Sequence, residues 1–173
     1  MPGSGKSTIV SALKAKGIES LNLGDGVRAE AKRRNLEPSG DNLGKLMLEL
    51  REKNGPGAIA ELLTEPIKNS QSKIIIIDGV RSTAEIEVLK NTGSVKLLSI
   101  EATSDTRYKF LSSRGRSDDP TTREKFEERD NRELGVGIGE SIAIADETIV
   151  NSNITLDELT EQAYKVIEKW IDS

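Results

Sequence analysis

The sequence contains no cysteine and no histidine, and only 3% of its 173 residues are aromatic. The missing residue types exclude disulfides, Cys/His zinc sites, thiol nucleophiles and imidazole acid–base catalysis, so any general base must be a carboxylate. The few aromatic rings exclude base stacking on Phe, Tyr or Trp as a major mode of recognition. An arginine plane could take that role.

A basic excess and long apolar runs are missing as well. Hydrophobic residues make up 35% of the chain and charged residues 31%, and no apolar run is long enough to span a bilayer. The net charge of −4 argues against nucleic acid as a partner, because nucleic-acid binders usually carry a basic excess. With no cysteine and no targeting segment, we expect a cytoplasmic protein that does not bind membranes.

The N-terminal residues Met1–Thr8 match a phosphate-binding P-loop, Gly-x-x-x-x-Gly-Lys-Ser/Thr, without its first glycine. In such a loop, backbone N–H groups and the N-terminus of the next helix cradle phosphate oxygens. The lysine reaches the β- and γ-phosphates, and the hydroxyl after it ligates Mg²⁺. The sequence therefore predicts ATP and Mg²⁺ as cofactors, with the nucleotide on Gly3, Ser4, Gly5, Lys6, Ser7 and Thr8, and the metal on Ser7.

Two alternatives concern the position of this motif at the start of the chain. Gly/Ser-rich termini are often disordered, but the helical spacing of Ile9, Val10 and Leu13 favours a P-loop helix. A P-loop also normally follows a buried strand, and Met1–Thr8 leaves no residues for one. We therefore expect the fold to begin upstream of Met1, and the chain as written to be poorly stable and to bind ATP weakly.

Short apolar runs and helical patterns alternate along the chain. The run Ile74–Ile77 is typical of a strand buried on both faces, as is Val95–Ile100, and shorter strands fit Ile18–Leu23 and Glu147–Val150. Strands that alternate with helices imply a parallel sheet with right-handed crossovers. A final apolar stripe, from Leu156 to Trp170, predicts a helix packed on the core.

The pattern as a whole predicts an α/β protein with the P-loop NTPase fold, a three-layer α/β/α arrangement whose first strand is absent from this chain. We expect a single domain over residues 1–173.

Two motifs that pair an aspartate with an arginine follow predicted strands. Asp78 leaves the isoleucine strand at its C-terminal end, where open α/β sheets bind ligands, so it is placed to meet Mg²⁺ directly or through water. Alternatively, Asp78 only caps the next helix. In the same way Asp25 is either a functional acid or a helix N-cap, and Arg28 either binds a ligand or is a solvated surface residue.

With the P-loop, these motifs resemble the nucleoside monophosphate kinases, adenylate kinase in particular. The resemblance implies that the arginine of each motif, Arg28 and Arg81, contacts the phosphate of the acceptor. It also implies an acceptor-binding insertion at about residues 25–70 and a lid at about residues 112–134. The segment Asp78–Arg81 is one residue shorter than the usual adenylate kinase form.

Charged residues of both signs are interleaved between Arg107 and Arg132. A charged pair of surface helices has the same pattern. P-loop kinases, however, place a mobile lid in this region, whose arginines stabilise the transferring phosphoryl group and exclude water. The turn Arg114–Pro120 makes Arg114 and Arg116 the first candidates for that role, with Arg129 and Arg132 second.

The C-terminal part resembles a different enzyme, dephospho-CoA kinase, in the stretches Ala145–Asn151 and Leu156–Leu159. In dephospho-CoA kinases an aspartate after the second strand acts as base on the acceptor hydroxyl, and Asp25 occupies that position. Those enzymes lack the Asp-Gly-Val-Arg segment. The loop after the last strand contacts the adenine edge in related kinases, a role that falls here to Asn151.

The combination most closely resembles an archaeal family of P-loop kinase-like proteins related to adenylate and dephospho-CoA kinases. The segments that carry the resemblance are Leu50–Ala58, Asp78–Ser82, Arg114–Pro120 and Glu133–Glu140. The glycine run within the last segment follows a predicted helix rather than a strand, so it fails the context of a dinucleotide-binding motif and predicts a hinge.

This resemblance implies a kinase that moves the γ-phosphoryl group of ATP to a nucleotide-like small molecule, most readily a nucleoside monophosphate. A hydroxyl acceptor, as in dephospho-CoA, and an ATP-binding regulatory protein or slow ATPase are the alternatives. The implied catalytic residues are Lys6, Arg81, Arg114, Arg116 and Asp25, the implied acceptor-binding residues are Asp25, Arg28 and Arg81, and the implied metal ligands are Ser7 and Asp78.

Overall fold

The computed structural model describes residues 1–115 and 119–172. The chain divides into two compact units: a first unit of Met1–Gly17 and the described part of residues 96–173, and a second unit of Ile18–Val95. The predicted single domain over residues 1–173 stays a prediction. In chain order the elements are α1 (Lys6–Ala15), β1 (Glu19–Asn22), α2 (Leu23–Arg33), α3 (Gly40–Asn54), α4 (Ala58–Asn69), β2 (Ile75–Asp78), α5 (Thr83–Lys90), β3 (Leu98–Glu101), α6 (Ser104–Arg114), α7 (Arg123–Val136), α8 (Ile138–Ala143), β4 (Glu147–Val150) and α9 (Leu156–Ile171).

Each unit contains one two-stranded parallel sheet in the part of the chain that is described. In the second unit β1 pairs with β2, from Glu19 opposite Ile75 to Asn22 opposite Asp78. In the first unit β3 pairs with β4 in the same direction. The predicted strands and their parallel pairing are therefore present, and the β1–β2 register brings the two strand ends, Asn22 and Asp78, side by side.

The core of the second unit is built by helices that present one apolar face each. Leu23, Val27 and Ala31 recur at helical spacing on α2 and are at most 2% exposed. Buried residues of α3, α4 and α5 pack against them, and Ile77 of β2 covers the cluster from the strand side. This cluster supports the end of the sheet at which Asn22 and Asp78 lie.

The surface of α2 carries an acid that is almost buried among arginines. Glu30, with a side chain only 10% exposed, accepts hydrogen bonds from Arg33 and Arg34. The hydrogen bond from Arg33 is the main cause that lowers the pKa of Glu30 from 4.5 to about 2, although burial opposes it. The folded state is therefore stabilised above pH 4.5, where the unfolded chain is also ionised.

We expect Glu30→Gln to lower the free energy of unfolding at pH 7 by about 1 kcal/mol, because the variant loses charge-assisted bonds to Arg33 and Arg34, and solvent around the exposed Arg33 side chain weakens the larger of these interactions. The difference from wild type should shrink as the pH falls from 4.5 toward 2, where Glu30 of the folded protein takes up its proton. Urea denaturation at several pH values measures this. Glu37→Gln, in an exposed loop, is the matched control, and a Glu30→Gln effect independent of pH would contradict the assignment.

The C-terminal helix of the first unit corrects part of the predicted core stripe. Leu159 and Ala163 of α9 are buried as expected, at 1% and 0% exposure. Leu156, by contrast, is 58% exposed. The reason is its position as first residue of the helix, where its side chain lines an open groove together with Thr8 and Ser11 of α1.

None of the helices within residues 1–115 and 119–172 combines the length and the apolar character of a membrane span.

Candidate phosphate-binding site

The phosphate loop leads directly into α1, and α1 begins without a side-chain cap. Its N-cap is Gly5, which lies in the left-handed region at φ 103° and offers no side chain. The longer described helices of the same unit, α6, α7 and α9, begin with Thr103, Thr122 and Thr155 as caps. Because the first N–H groups of a helix need acceptors, the N-terminus of α1 has the donors and the positive dipole end that bind an anion.

Two glycines of the loop lie where no side chain fits. A Cβ on Gly3, at φ 79°, would stand 2.7 Å from the carbonyl oxygen of Arg107. A Cβ on Gly5 would stand 2.6 Å from Nδ2 of Asn151. Ser4, between them, is completely buried. The loop backbone is therefore packed directly on α6 and on the end of β4, and the glycine pattern has a steric reason.

Lys6 folds back over the loop. Its Nζ donates to the Met1 carbonyl oxygen at 2.7 Å and to Ser4 Oγ at 3.3 Å. The ammonium group therefore lies on the loop itself, and its contact with β- and γ-phosphates stays a prediction. Ser7, the second residue of α1, is exposed, and its carbonyl oxygen accepts a hydrogen bond from Ser11 Oγ.

Arg107 of α6 holds the loop from one side. Its Nη1 donates to the Pro2 carbonyl oxygen at 3.1 Å, and the guanidinium forms a two-pronged ion pair with Asp130 of α7. The Arg107 side chain is only 7% exposed and lies over the ring of Phe126 at 4.9 Å. Sequence reasoning counted Arg107 only as one of many surface charges, and its burial is the feature that sets it apart.

Asn151, directly after β4, holds the loop from the other side. It is 6% exposed, and its Nδ2 donates to the Ser4 carbonyl oxygen at 3.0 Å. Its own N–H continues the sheet by donating to Glu101 at 2.7 Å. The sequence placed Asn151 near the nucleotide for a different reason. Its contact with the adenine edge stays a prediction, and its contact with the loop was not foreseen.

Three of the four predicted lid arginines lie within the described residues. Arg114 is the last residue of α6 and pairs with Asp119, whose side chain is 6% exposed. Arg129 of α7 approaches the same carboxylate at 3.9 Å, whereas Arg132 is exposed on that helix. Arg116 lies outside the described residues. Two of the four candidates, Arg114 and Arg129, thus lie at the carboxylate of Asp119.

In the second unit, Asn22 links the two predicted aspartate motifs. Its Nδ2 donates to Asp78 Oδ2 at 2.9 Å, and its Oδ1 accepts from the N–H groups of Gly24 and Asp25. Asn22 is therefore the cap of α2, and Ser82 caps α5. Both capping alternatives are wrong: Asp25 lies within the first turn because α2 begins at Leu23, and Asp78 is the last residue of β2.

The Asp25–Arg28 motif forms an exposed ion pair. Arg28 Nη1 lies 2.5 Å from Asp25 Oδ1, and the two side chains are 57% and 72% exposed. Residues three apart on a helix surface meet in this way, and such pairs contribute only about 0.2–0.5 kcal/mol. A ligand can therefore open the pair at little cost.

The second unit also buries a carboxylate that sequence reasoning missed. Glu85 is 1% exposed, and its Oε1 pairs with Arg51 Nη2 of α3 at 3.1 Å. Its Oε2 accepts from the backbone N–H of Arg81 at 2.7 Å, so it fixes the turn of the Asp78–Arg81 motif. The spacing Ser82-x-x-Glu85 matches a capping box and could have marked this helix start. Nothing local in the sequence pointed to Arg51.

The described residues contain no group of three or more acidic side chains that could hold a metal ion by themselves. The exposed residue Ser7, in the first turn of the uncapped helix α1, does fit a Mg²⁺ ion that arrives with a nucleotide, because such an ion takes most of its ligands from phosphates and water. ATP fits the uncapped N-terminus of α1 for the same electrostatic reason.

Comparisons with known proteins agree with this architecture. The AAA domain family matches residues 1–127. A UPF0200 protein of Hyperthermus butylicus is 40% identical over 169 residues, which cover 98% of this chain and 90% of the relative. UPF0200 proteins of Pyrococcus abyssi and Methanothrix thermoacetophila are 41% and 42% identical, over 88% and 98% of this chain and 84% and 93% of the relatives.

Two solved structures share the fold. TT1252 from Thermus thermophilus has a TM-score of 0.69 at 18% identity, covering 97% of this chain and 93% of the other. Shikimate kinase from Bacteroides thetaiotaomicron has a TM-score of 0.59 at 13% identity, over 96% and 93%. The predicted P-loop NTPase-like α/β fold is thereby confirmed. On its sequence identity to relatives from archaea, the chain belongs to the UPF0200 protein family.

Proposed function

We propose that this protein is a kinase that moves the γ-phosphoryl group of ATP to a nucleotide-like acceptor, most readily a nucleoside monophosphate. The observation that carries the proposal is the uncapped, glycine-built start of α1 with the Lys6 ammonium folded over it. The fold shared with a shikimate kinase and the match to the AAA domain family support it. The finer relation to adenylate kinase or dephospho-CoA kinase is part of the proposal.

The donor side of the reaction is assigned to the first unit. Backbone N–H groups of the loop and of α1 would hold the phosphates of ATP, and Lys6 would exchange its bonds to Met1 and Ser4 for phosphate oxygens. Ser7 would be a ligand of Mg²⁺, which neutralises phosphate charge when it is bound. Asp78 belongs to the second unit, and its role as a Walker-B acid stays part of the proposal; within that unit Asn22 donates to its carboxylate.

The acceptor side is assigned to Arg28 and Arg81 of the second unit. An acceptor phosphate would replace the Asp25 carboxylate on Arg28, which requires only the opening of an exposed ion pair. The phosphate oxygen of a nucleoside monophosphate is already ionised at neutral pH and needs no general base. This choice suits a chain without histidine. If the acceptor is a hydroxyl, Asp25 becomes the base.

The lid arginines would complete the charge stabilisation. Arg114 forms an ion pair with Asp119. We propose that it leaves this partner and contacts the transferring phosphoryl group once ATP and acceptor are bound. Arg116 shares this proposed role.

The test is to incubate the protein with Mg-ATP and separately with AMP, CMP, UMP or dephospho-CoA, and to score the phosphorylated product. We expect a nucleoside diphosphate from at least one monophosphate. Phosphorylated dephospho-CoA alone would favour the hydroxyl acceptor and Asp25 as base. ADP without any phosphorylated acceptor would overturn the kinase proposal in favour of a slow ATPase or regulatory protein.

A further inference from the structure

We propose that Arg107 and Asn151 are positioning residues that orient the backbone N–H groups of the phosphate loop. The inference rests on the nucleotide site of the proposed function and deepens it. On this proposal both residues act on the binding of the phosphate chain and not on recognition of the base.

The argument begins with the geometry of a trans peptide unit, in which the C=O and the N–H point in opposite directions. The peptide bonds of the loop are trans. Arg107 holds the carbonyl of Pro2, and Asn151 holds the carbonyl of Ser4. The N–H groups of the same peptide units belong to Gly3 and Gly5, and they are therefore turned away from the two clamping side chains. The carbonyl groups of Pro2 and Ser4 thus point toward the two side chains that hold them, and those N–H groups are left to form an anion-binding nest.

The two clamps are built in the same way. Each side chain is at least nine-tenths buried and donates to one loop carbonyl. Each clamp residue also lies in contact with the glycine that follows that carbonyl: Gly3 meets the Arg107 backbone and Gly5 meets the Asn151 amide. Since no Cβ fits at either glycine, the loop backbone lies directly against both of these residues.

The clamps are themselves fixed by other elements. The Arg107 guanidinium donates to both carboxylate oxygens of Asp130 on α7, and the Phe126 ring lies beneath the guanidinium. Asn151 is held by its backbone bond to Glu101 of β3. The loop is thus oriented before a ligand arrives, and preorganised donors bind an anion more strongly than donors that must first turn.

The two roles considered for Asn151, contact with the adenine edge and orientation of the loop, predict different effects on ligand binding. A residue that reads the base discriminates between ATP and GTP, and it does not affect the binding of a ligand that has no base. A residue that orients the loop affects every polyphosphate by the same factor, whatever is attached to it. The inorganic tripolyphosphate ion therefore separates the two roles.

The experiment measures the dissociation constants of Mg-ATP, Mg-GTP and Mg-tripolyphosphate by calorimetry for wild type, Asn151→Asp and Arg107→Lys. Asn153→Asp and Lys109→Met, both exposed and near the respective sites, are the matched controls. Melting temperatures without ligand show whether each variant is folded. The two variants also alter contacts to the loop that come from different elements, Arg107 from α6 and Asn151 from the residue after β4.

We expect each clamp variant to weaken all three ligands by a similar factor of about ten to a hundred, as the loss of a hydrogen bond next to a charged ligand predicts. The controls should bind as wild type. Loss confined to ATP, or unchanged binding of tripolyphosphate in folded variants, overturns the inference and leaves the proposed kinase intact. If wild type binds none of the three ligands, the proposed nucleotide site itself falls, and the inference falls with it.

Discussion

We expect Lys6→Met to lower the kcat/KM of acceptor phosphorylation by about a hundred- to a thousandfold, the usual effect of removing one charge-stabilising donor from a transfer site. The Lys6 ammonium is held on the loop by the Met1 carbonyl and the Ser4 hydroxyl. In the proposed reaction the ammonium would stabilise the charge of the γ-phosphoryl group. Methionine keeps an unbranched side chain of similar length but removes the charge.

The matched control for this variant is Lys14→Met, an exposed lysine on the same helix. Both variants should keep the wild-type melting temperature, because Lys6 contributes little to the core. The measurement is the initial rate of product formation at several ATP concentrations. An activity of Lys6→Met within about threefold of wild type would remove Lys6, and the P-loop assignment with it, from the mechanism.

Glu85→Ala should have the largest effect on stability, a loss of about 3–5 kcal/mol in the free energy of unfolding. The variant leaves the Arg51 guanidinium, 18% exposed, without its buried partner. It also frees the Arg81 N–H, which is bonded to the Glu85 carboxylate. Guanidinium denaturation measures the loss. Glu87→Ala on the same helix is the control, because Glu87 forms only an exposed pair with Lys90 and should contribute less than about 1 kcal/mol.

A milder variant separates folding from function at the same position. Glu85→Gln keeps the shape of the side chain but weakens its hold on Arg51 and on the turn that carries Arg81. If Arg81 binds the acceptor, the KM for the acceptor should rise by about tenfold while the affinity for ATP stays unchanged. An unchanged acceptor KM in folded Glu85→Gln would show that Glu85 serves stability alone.

The sequence predicted the four strands, the P-loop helix and the C-terminal helix because their signals are local. The isoleucine run became β2, and the Gly-Pro-Gly break at residues 55–57 separates α3 from α4. The cap of α2 was missed, because a strand residue, Asn22, serves as the cap in place of Asp25. Helix α8 was not predicted, since the glycine run around Gly137 predicted only a hinge.

The site was predictable only as far as the motif itself extends. The P-loop pattern predicts the residues that contact phosphates, but the side chains that hold the loop come from far along the chain. Arg107 is 105 residues from Pro2, and Asn151 is 147 residues from Ser4. One sequence carries no signal for such contacts, because a buried arginine and a solvated one look the same until the fold brings its partners together.

The most direct test of the central claim is the rate of ADP formation from Mg-ATP with and without a saturating nucleoside monophosphate, using Lys6→Met as the blank. We predict that at least one acceptor raises this rate well above its acceptor-free value, and that ADP and phosphorylated acceptor appear in equal amounts. ADP formed at the same rate with and without every acceptor would contradict the assignment of this protein as a kinase.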